Sequence, residues 1–308
     1  MGEVGKDTPE GGGRGQVAHA PVLLKEATDF LAIRRGGNYI DATVGLGGHS
    51  IEIARRLGAP GLLIGFDKDP TALEIARGRL QPERGAPDWP EVRLVQASFA
   101  EAGERCPAGS ADGILADLGL SSLQLADPGR GFSFQAEGPL DMRMNPQSEP
   151  TAEQVVNQFE ERELADLIYE LGEERRSRRI ARAIVRSRPI RSPAHLAAII
   201  SAAARPMKRE RIHPATRTFQ ALRIFVNREL DDLGRLLEAA PELLRSGGRL
   251  VVISFHSLED RLVKDAMRAA AKRGAYRLLT ARPVVAGEDE IRLNPRARSA
   301  KLRAAERL

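Results

Sequence analysis

The chain has 308 residues, 42% of them hydrophobic and 29% charged, with a formal net charge of +5. Those values fit a globular protein with room for one large or two modest domains and exclude a fibrous or low-complexity chain. No apolar run reaches the length of a membrane span, and Met1–Gln16 lacks the apolar stretch of a secretory signal, so no membrane partner is expected. The single cysteine, Cys106, excludes an intrachain disulfide or a cysteine-based zinc site and suits a reducing, cytoplasmic setting.

In chain order, residues 1–17 are Gly-rich and read as a disordered tail. Pro21-Val-Leu-Leu24 leads into an amphipathic helix through Leu31. A first strand spans Tyr39–Ala42, and a helix follows over Ser50–Leu57. A second strand spans Leu62–Asp67, and Pro70 opens a helix over Thr71–Leu80, at a favoured first-turn position. Strands follow at Val92–Gln96 and Gly113–Leu118. Strands alternating with helices predict an α/β fold with a parallel sheet. Residues 126–150 read as a long loop. From Thr151 to about Pro206 the spacing is helical, with Leu164, Leu167, Ile168 and Leu171 on one face. The sheet pattern then resumes. Helices are expected over Thr218–Glu229 and Asp232–Ala240, a strand over Arg249–Phe255 after Gly247-Gly248, and a helix over Asp260–Ala271. The expected division is a discontinuous sheet domain, 18–125 with 216–308, and an inserted helical domain, 126–215.

The charge is localised. Between Gly172 and Arg217 there are 13 Arg and Lys against 3 Glu, a net of +10, which leaves about −5 for the remainder. Such concentration points to a polyanion-binding face. The C-terminal stretch from Ile291 adds six Lys and Arg against one Glu.

The chemistry concentrates at strand ends. Asp41-Ala-Thr-Val-Gly-Leu-Gly-Gly-His49 follows the first strand, and Gly65-Phe66-Asp67 closes the second. Glycines let backbone approach a ligand, and an acid at the next strand end can accept from two ribose hydroxyls. The dinucleotide fingerprint needs a third glycine where Ser50 stands. The acid-x-small-x-Gly-x-Gly spacing instead suits S-adenosylmethionine (SAM). Asp41, Asp67 and Asp117, each ending a strand, are expected to converge on one crevice. Phe99, after the third strand, can flank an adenine ring or pack in the core. Gln124 could bond the cofactor's polar end. In Ser254-Phe-His-Ser-Leu-Glu-Asp260, His256 could position a substrate, or Ser257 could cap the next helix. The histidine spacing gives no zinc motif, and no metal is expected.

These residues resemble the RsmH (MraW) family of SAM-dependent methyltransferases, which act on cytidine N4 in small-subunit ribosomal RNA. The matching blocks, in order, include His19–Glu26, Asp41–Ser50, Gly113–Gln124, Arg130–Phe134, Gly138–Met144, His213–Arg223, Ser254–Arg261 and Asn294–Ser299. The resemblance implies a Rossmann-like class I methyltransferase sheet carrying a helical insertion. It implies cofactor contacts at Gly47, Gly48, His49, Asp67, Phe99, Asp117 and Gln124. The partner it implies is 16S rRNA or the small ribosomal subunit, with a target near the decoding centre. Nothing in the sequence fixes the oligomeric state, a homodimer included. Related amino-methyltransferases use an Asn/Asp-Pro-Pro-aromatic motif after the fourth strand, but here Asp117-Leu-Gly-Leu120 stands in its place. Asp117 is therefore the expected acceptor near the amine, and Phe132 and Phe134 are the candidates to stack on the base. Arg217 and His256 are further candidates for RNA contact. The Arg-rich insert and basic tail are expected to hold phosphates. A nicotinamide-dependent oxidoreductase, a non-catalytic RNA-binding protein and a DNA cytosine-N4 methyltransferase are the alternatives.

Overall fold

A computed structural model describes residues 21–81, 88–134, 138–204 and 212–308. The expected tail, residues 1–17, lies outside them. Seven strands form one sheet: β1 (Asn38–Asp41), β2 (Leu62–Asp67), β3 (Glu91–Gln96), β4 (Ala111–Asp117), β5 (Leu244–Ser254), β6 (Tyr276–Leu278) and β7 (Lys301–Arg307). Their order is β3-β2-β1-β4-β5-β7-β6. The β3–β2, β2–β1, β1–β4 and β4–β5 pairs are parallel, and β7 runs antiparallel to both β5 and β6. A dinucleotide fold has the order 3-2-1-4-5-6. Here an antiparallel strand is wedged between the last two.

The sheet-side helices are α1 (Leu24–Leu31), α2 (Gly48–Leu57), α3 (Pro70–Arg79), α4 (Ala102–Arg105) and α5 (Ser122–Ala126). The helical segment between β4 and β5 holds α6 (Ala152–Gln158), α7 (Glu161–Gly172), α8 (Ser177–Arg186), α9 (Pro193–Ala203), α10 (Thr216–Asn227) and α11 (Glu229–Leu243). After β5 come α12 (Ser257–Lys272) and α13 (Glu288–Leu293). No helix among the described residues is long and apolar enough to cross a membrane.

Two of the three apolar cores flank the sheet, because its central strands bury both faces. β4 is buried at every position before Asp117. The third core is helical and runs from Phe132 to Val226. Phe219, Leu222 and Val226 of α10 lie in it, so this core continues past the expected boundary at 215. Arg130 straps it to the sheet. Its guanidinium donates to the buried Asp69 Oδ2 at 2.8 Å and to the Arg143 and Met144 carbonyls at 2.9 Å each.

Two expectations about the C-terminal region need correction. β5 starts at Leu244, five residues earlier than expected, with a register shift against β4 between Ala111 and Gly113. The second half of the basic tail is not a free phosphate-binding segment, since Lys301–Arg307 forms β7, whereas Arg292 and Arg298 ahead of it are exposed. Arg303 in the strand is buried and donates to Asp260 at 2.7 Å, and Arg307 donates to the Pro241 carbonyl at 2.8 Å.

Candidate active site

The order of the sheet reverses between β1 and β4, and ligands of such sheets bind beyond the carboxyl ends at that switch. A cleft of about 1260 Å³, open at its mouth, lies there. One wall is the turn from β1 into α2. Gly45 has φ +51° and Gly47 has φ +84°, left-handed values that cost a side chain strain. Gly48 lines the cleft, and a Cβ on it would sit 2.5 Å from the Pro21 ring. Gly47 does not line the cleft. It caps α2 and packs against Ala76.

Asp67 lines the cleft at the end of β2. Its Oδ2 accepts from Gly45 N at 2.7 Å and its Oδ1 from Asp69 N at 2.8 Å. Burial pushes its pKa up to about 6. Phe99 and Gln124 also line the cleft. Gln124 is fixed by its neighbours: Oε1 accepts from Ser121 N at 3.0 Å, and Nε2 donates to Asp69 at 3.0 Å. An acid beside a glycine turn, an aromatic edge and a fixed amide suit a nucleoside cofactor with a charged tail.

Asp117 lines the far wall, at the end of β4. About a quarter of its side chain is exposed. Its Oδ1 is buried and has no hydrogen-bond partner among the described residues. Burial is the main influence on this carboxyl. Asp41 and Glu259 reinforce it, Arg296 opposes it, and the pKa is pushed up to about 8. His49 faces it, with Nδ1 3.5 Å from Oδ2.

The third strand-end acid does not join them. Asp41 is 1% exposed and is absent from the cleft wall. Its Oδ2 accepts from Ser50 Oγ at 2.5 Å, and its Oδ1 accepts from Thr43 N at 3.0 Å. It braces the glycine turn, and Ser50, which stands where a dinucleotide site would have glycine, donates its hydroxyl to it.

The expected RNA-contacting residues lie elsewhere. Phe132 is buried in the helical core. Phe134 stacks on His213 at 4.5 Å and meets Phe219 edge-on at 5.5 Å. Neither lines the cleft; both pack with the helical core instead. His256 caps α12, accepting from Glu259 N at 3.4 Å, so it is the capping residue rather than Ser257. Arg217 is 43% exposed and lies 3.8 Å from Glu174, outside the cleft.

Phe255, Arg296 and Glu229 are among the lining residues that were not singled out from sequence. Phe255 lies against Gly119, where φ is +106° and a Cβ would stand 3.3 Å from the ring. Arg296 donates to the Leu120 carbonyl. Two blocks already quoted, Ser254–Arg261 and Asn294–Ser299, contained the first two, but nothing in their spacing showed which side chain would turn inward.

Glu229, His256 and Glu259 bring ligand atoms within 4.8 Å of one another. The donor chemistry does not suit a cation. His256 Nδ1 accepts a backbone N–H, so Nε2 carries the ring hydrogen and has no lone pair. That Nε2 is 3.0 Å from Glu259 Oε1. Arg223 already binds both oxygens of Glu229, at 2.8 and 2.7 Å. Burial opposes the Glu259 charge, yet His256, Arg223 and the Phe255 N–H hold its carboxyl below the usual range.

Comparison with known proteins agrees with this geometry. The MraW methylase family matches residues 16–308. The ribosomal RNA small subunit methyltransferase H of Koribacter versatilis is 67% identical over 296 residues, covering 95% of each chain. The protein of the same name from Acidobacterium capsulatum is 62% identical over 291 residues, covering 94% of this chain and 98% of its own. A solved SAM-dependent O-methyltransferase of Thermotoga maritima is only 10% identical, with a TM-score of 0.43 over 95% of this chain and 68% of its own, too distant to add to the assignment. The chain belongs to the MraW methylase family and is a SAM-dependent methyltransferase.

Proposed function

We propose that this enzyme transfers the methyl group of SAM to the exocyclic N4 amine of a cytidine in 16S rRNA, near the decoding centre. The observation that carries the reading is Asp117. It is an acid at the end of β4, it lines the cleft, and one of its oxygens has no partner among the described residues. The names of the two close relatives support a small-subunit rRNA substrate.

The glycine turn at Gly45, Gly48 and His49 would hold the cofactor through its backbone, with Gly47 shaping the turn from behind. Asp67 would accept from the ribose, Phe99 would flank the adenine, and Gln124 would meet the polar end. When bound, SAM supplies a methyl group made electrophilic by its sulfonium. The cytosine N4 is a weak nucleophile because its lone pair is shared with the ring. Asp117 therefore has two tasks: to align the amine by accepting its N–H, and to stabilise positive charge as it develops. Phe255, which lines the cleft where Phe132 and Phe134 do not, is the platform for the base. The base must leave its stack to reach it.

RNA phosphates would meet the insert. Arg178, Arg179, Arg182 and Arg186 are exposed on α8, and cations displaced from phosphates make such binding salt-dependent. The test is nucleoside analysis of small-subunit rRNA after incubation with labelled SAM. N4-methylcytidine is the expected product. Label on another base or on the ribose would contradict the reading.

A further inference from the structure

His49 and Asp117 face each other in the cleft wall in a way that constrains their protons. His49 Nε2 lies 3.1 Å from the Val22 carbonyl oxygen. A carbonyl only accepts, so Nε2 carries the ring hydrogen and Nδ1 presents a lone pair. That lone pair looks at Asp117 Oδ2 from 3.5 Å. An ionised Asp117 would set lone pair against lone pair there and would leave a charged, partnerless Oδ1 buried. A proton on Oδ2 relieves both conflicts, because a neutral carbonyl oxygen is far cheaper to bury than a charged one. His49 does not take the proton instead: its side chain is 5% exposed, and burial pushes its pKa down to about 4. Asp41 from β1 and Glu259 from α12 both disfavour charge on Asp117, and Arg296, ahead of β7, is the cation that favours it.

We propose that His49 and Asp117 hold one proton between them in the cofactor-free enzyme and release it when the cationic cofactor binds. His49 is the positioning residue, and Asp117 then meets the amine as a carboxylate. This rests on the reading of Asp117 as the amine's acceptor. In the transfer, the N4 lone pair forms the N–CH3 bond, and the S–CH3 bond breaks with its electron pair left on sulfur. The N4–H proton passes to Asp117. The sulfur is then neutral, and the carboxyl again shares a proton with His49 Nδ1. One proton leaves on binding and one returns on transfer, so no further acid or base is needed.

Calorimetry of SAM binding to the full chain, in buffers of differing protonation enthalpy, counts the proton directly. Release of about 0.9 proton is expected at pH 7 and almost none by about pH 10, as for an acid titrating near 8. S-adenosylhomocysteine, whose sulfur is uncharged, should release less. Asp117→Asn should release none, which separates this proton from any held by Asp67. His49→Ala admits water to the carboxyl and should lower the midpoint of the release by about one pH unit. His49→Asn keeps an acceptor near the Nδ1 position and should restore it. No release by the wild type, full release by Asp117→Asn, or identical midpoints for His49→Asn and His49→Ala would overturn the proposal. If His49→Ala fails to fold, as thermal unfolding would report, the wild-type and Asp117→Asn arms still decide. Proton release without methylation of rRNA would remove the substrate reading and leave the shared proton standing.

Discussion

Asp41 and Asp117 end neighbouring parallel strands and look alike in the sequence, yet they do opposite work. Asp41 has both oxygens occupied, by Ser50 Oγ and Thr43 N, and it does not line the cleft. Asp117 has an oxygen without a partner and lines the cleft. An acid's chemistry follows from the hydrogen-bonding capacity the fold leaves unused. The same contrast separates two Arg-rich stretches. The arginines of α8 stand exposed, whereas Arg303 and Arg307 of β7 are consumed by Asp260 and Pro241.

The largest expected effect sharpens the first contrast. Asp117→Ala should cost at least about a hundredfold in methyl transfer, the scale for removing a group that meets developing charge, with no loss of thermal stability. Asp41→Ala should do the reverse. It strands the Ser50 hydroxyl and the Thr43 N–H and should cost about 2 kcal/mol, read by denaturant unfolding. Equal activity losses in the two variants would break the comparison.

The arginines give the next effects. Arg303→Met leaves Asp260 with only Lys301, at 3.3 Å, and should cost about 3 kcal/mol, the range for breaking a buried pair. It should leave the salt dependence of RNA binding unchanged. Replacing Arg178, Arg179 and Arg186 together with Gln should leave stability nearly unaltered and lower the slope of log affinity against log salt by about 2. A filter-binding titration over salt measures both variants.

A further effect concerns pH. The folded Asp117 has its pKa raised to about 8, against about 3.9 when unfolded. The folded state therefore binds more protons between those values, and its stability falls as pH rises from about 4 to about 8. Asp117→Asn in the cofactor-free protein should flatten that fall and melt higher than the wild type at pH 8. An unchanged pH profile of melting would contradict the buried, protonated acid.

The sequence made the glycine turn and the acid at the end of β2 legible because both are written in backbone requirements. Gly45 needs its left-handed φ, and Asp67 must end β2. The parallel strands were visible as apolar runs. β7 was not, since Lys-Leu-Arg-Ala-Ala-Glu-Arg reads as a charged tail. It is buried because it lies between β5 and β6, a long-range fact that local pattern does not encode. β6, only three residues long, carries no periodicity. Aromatic roles were also illegible: Phe132, Phe134 and Phe255 are equivalent by residue type, and only packing turns one toward the cleft. The capping role of His256 was illegible for a related reason, since a capping histidine and a substrate-binding one occupy the same kind of strand-to-helix turn.

The most direct measurement of the central claim is methyl transfer from labelled SAM to small ribosomal subunits lacking native methylation, mapped by mass spectrometry, with wild type and Asp117→Ala side by side. The account predicts N4-methylcytidine at one position with the wild type, and its loss with the variant while SAM binding persists. Equal methylation by Asp117→Ala, or no transfer by a wild type that binds SAM, would contradict it.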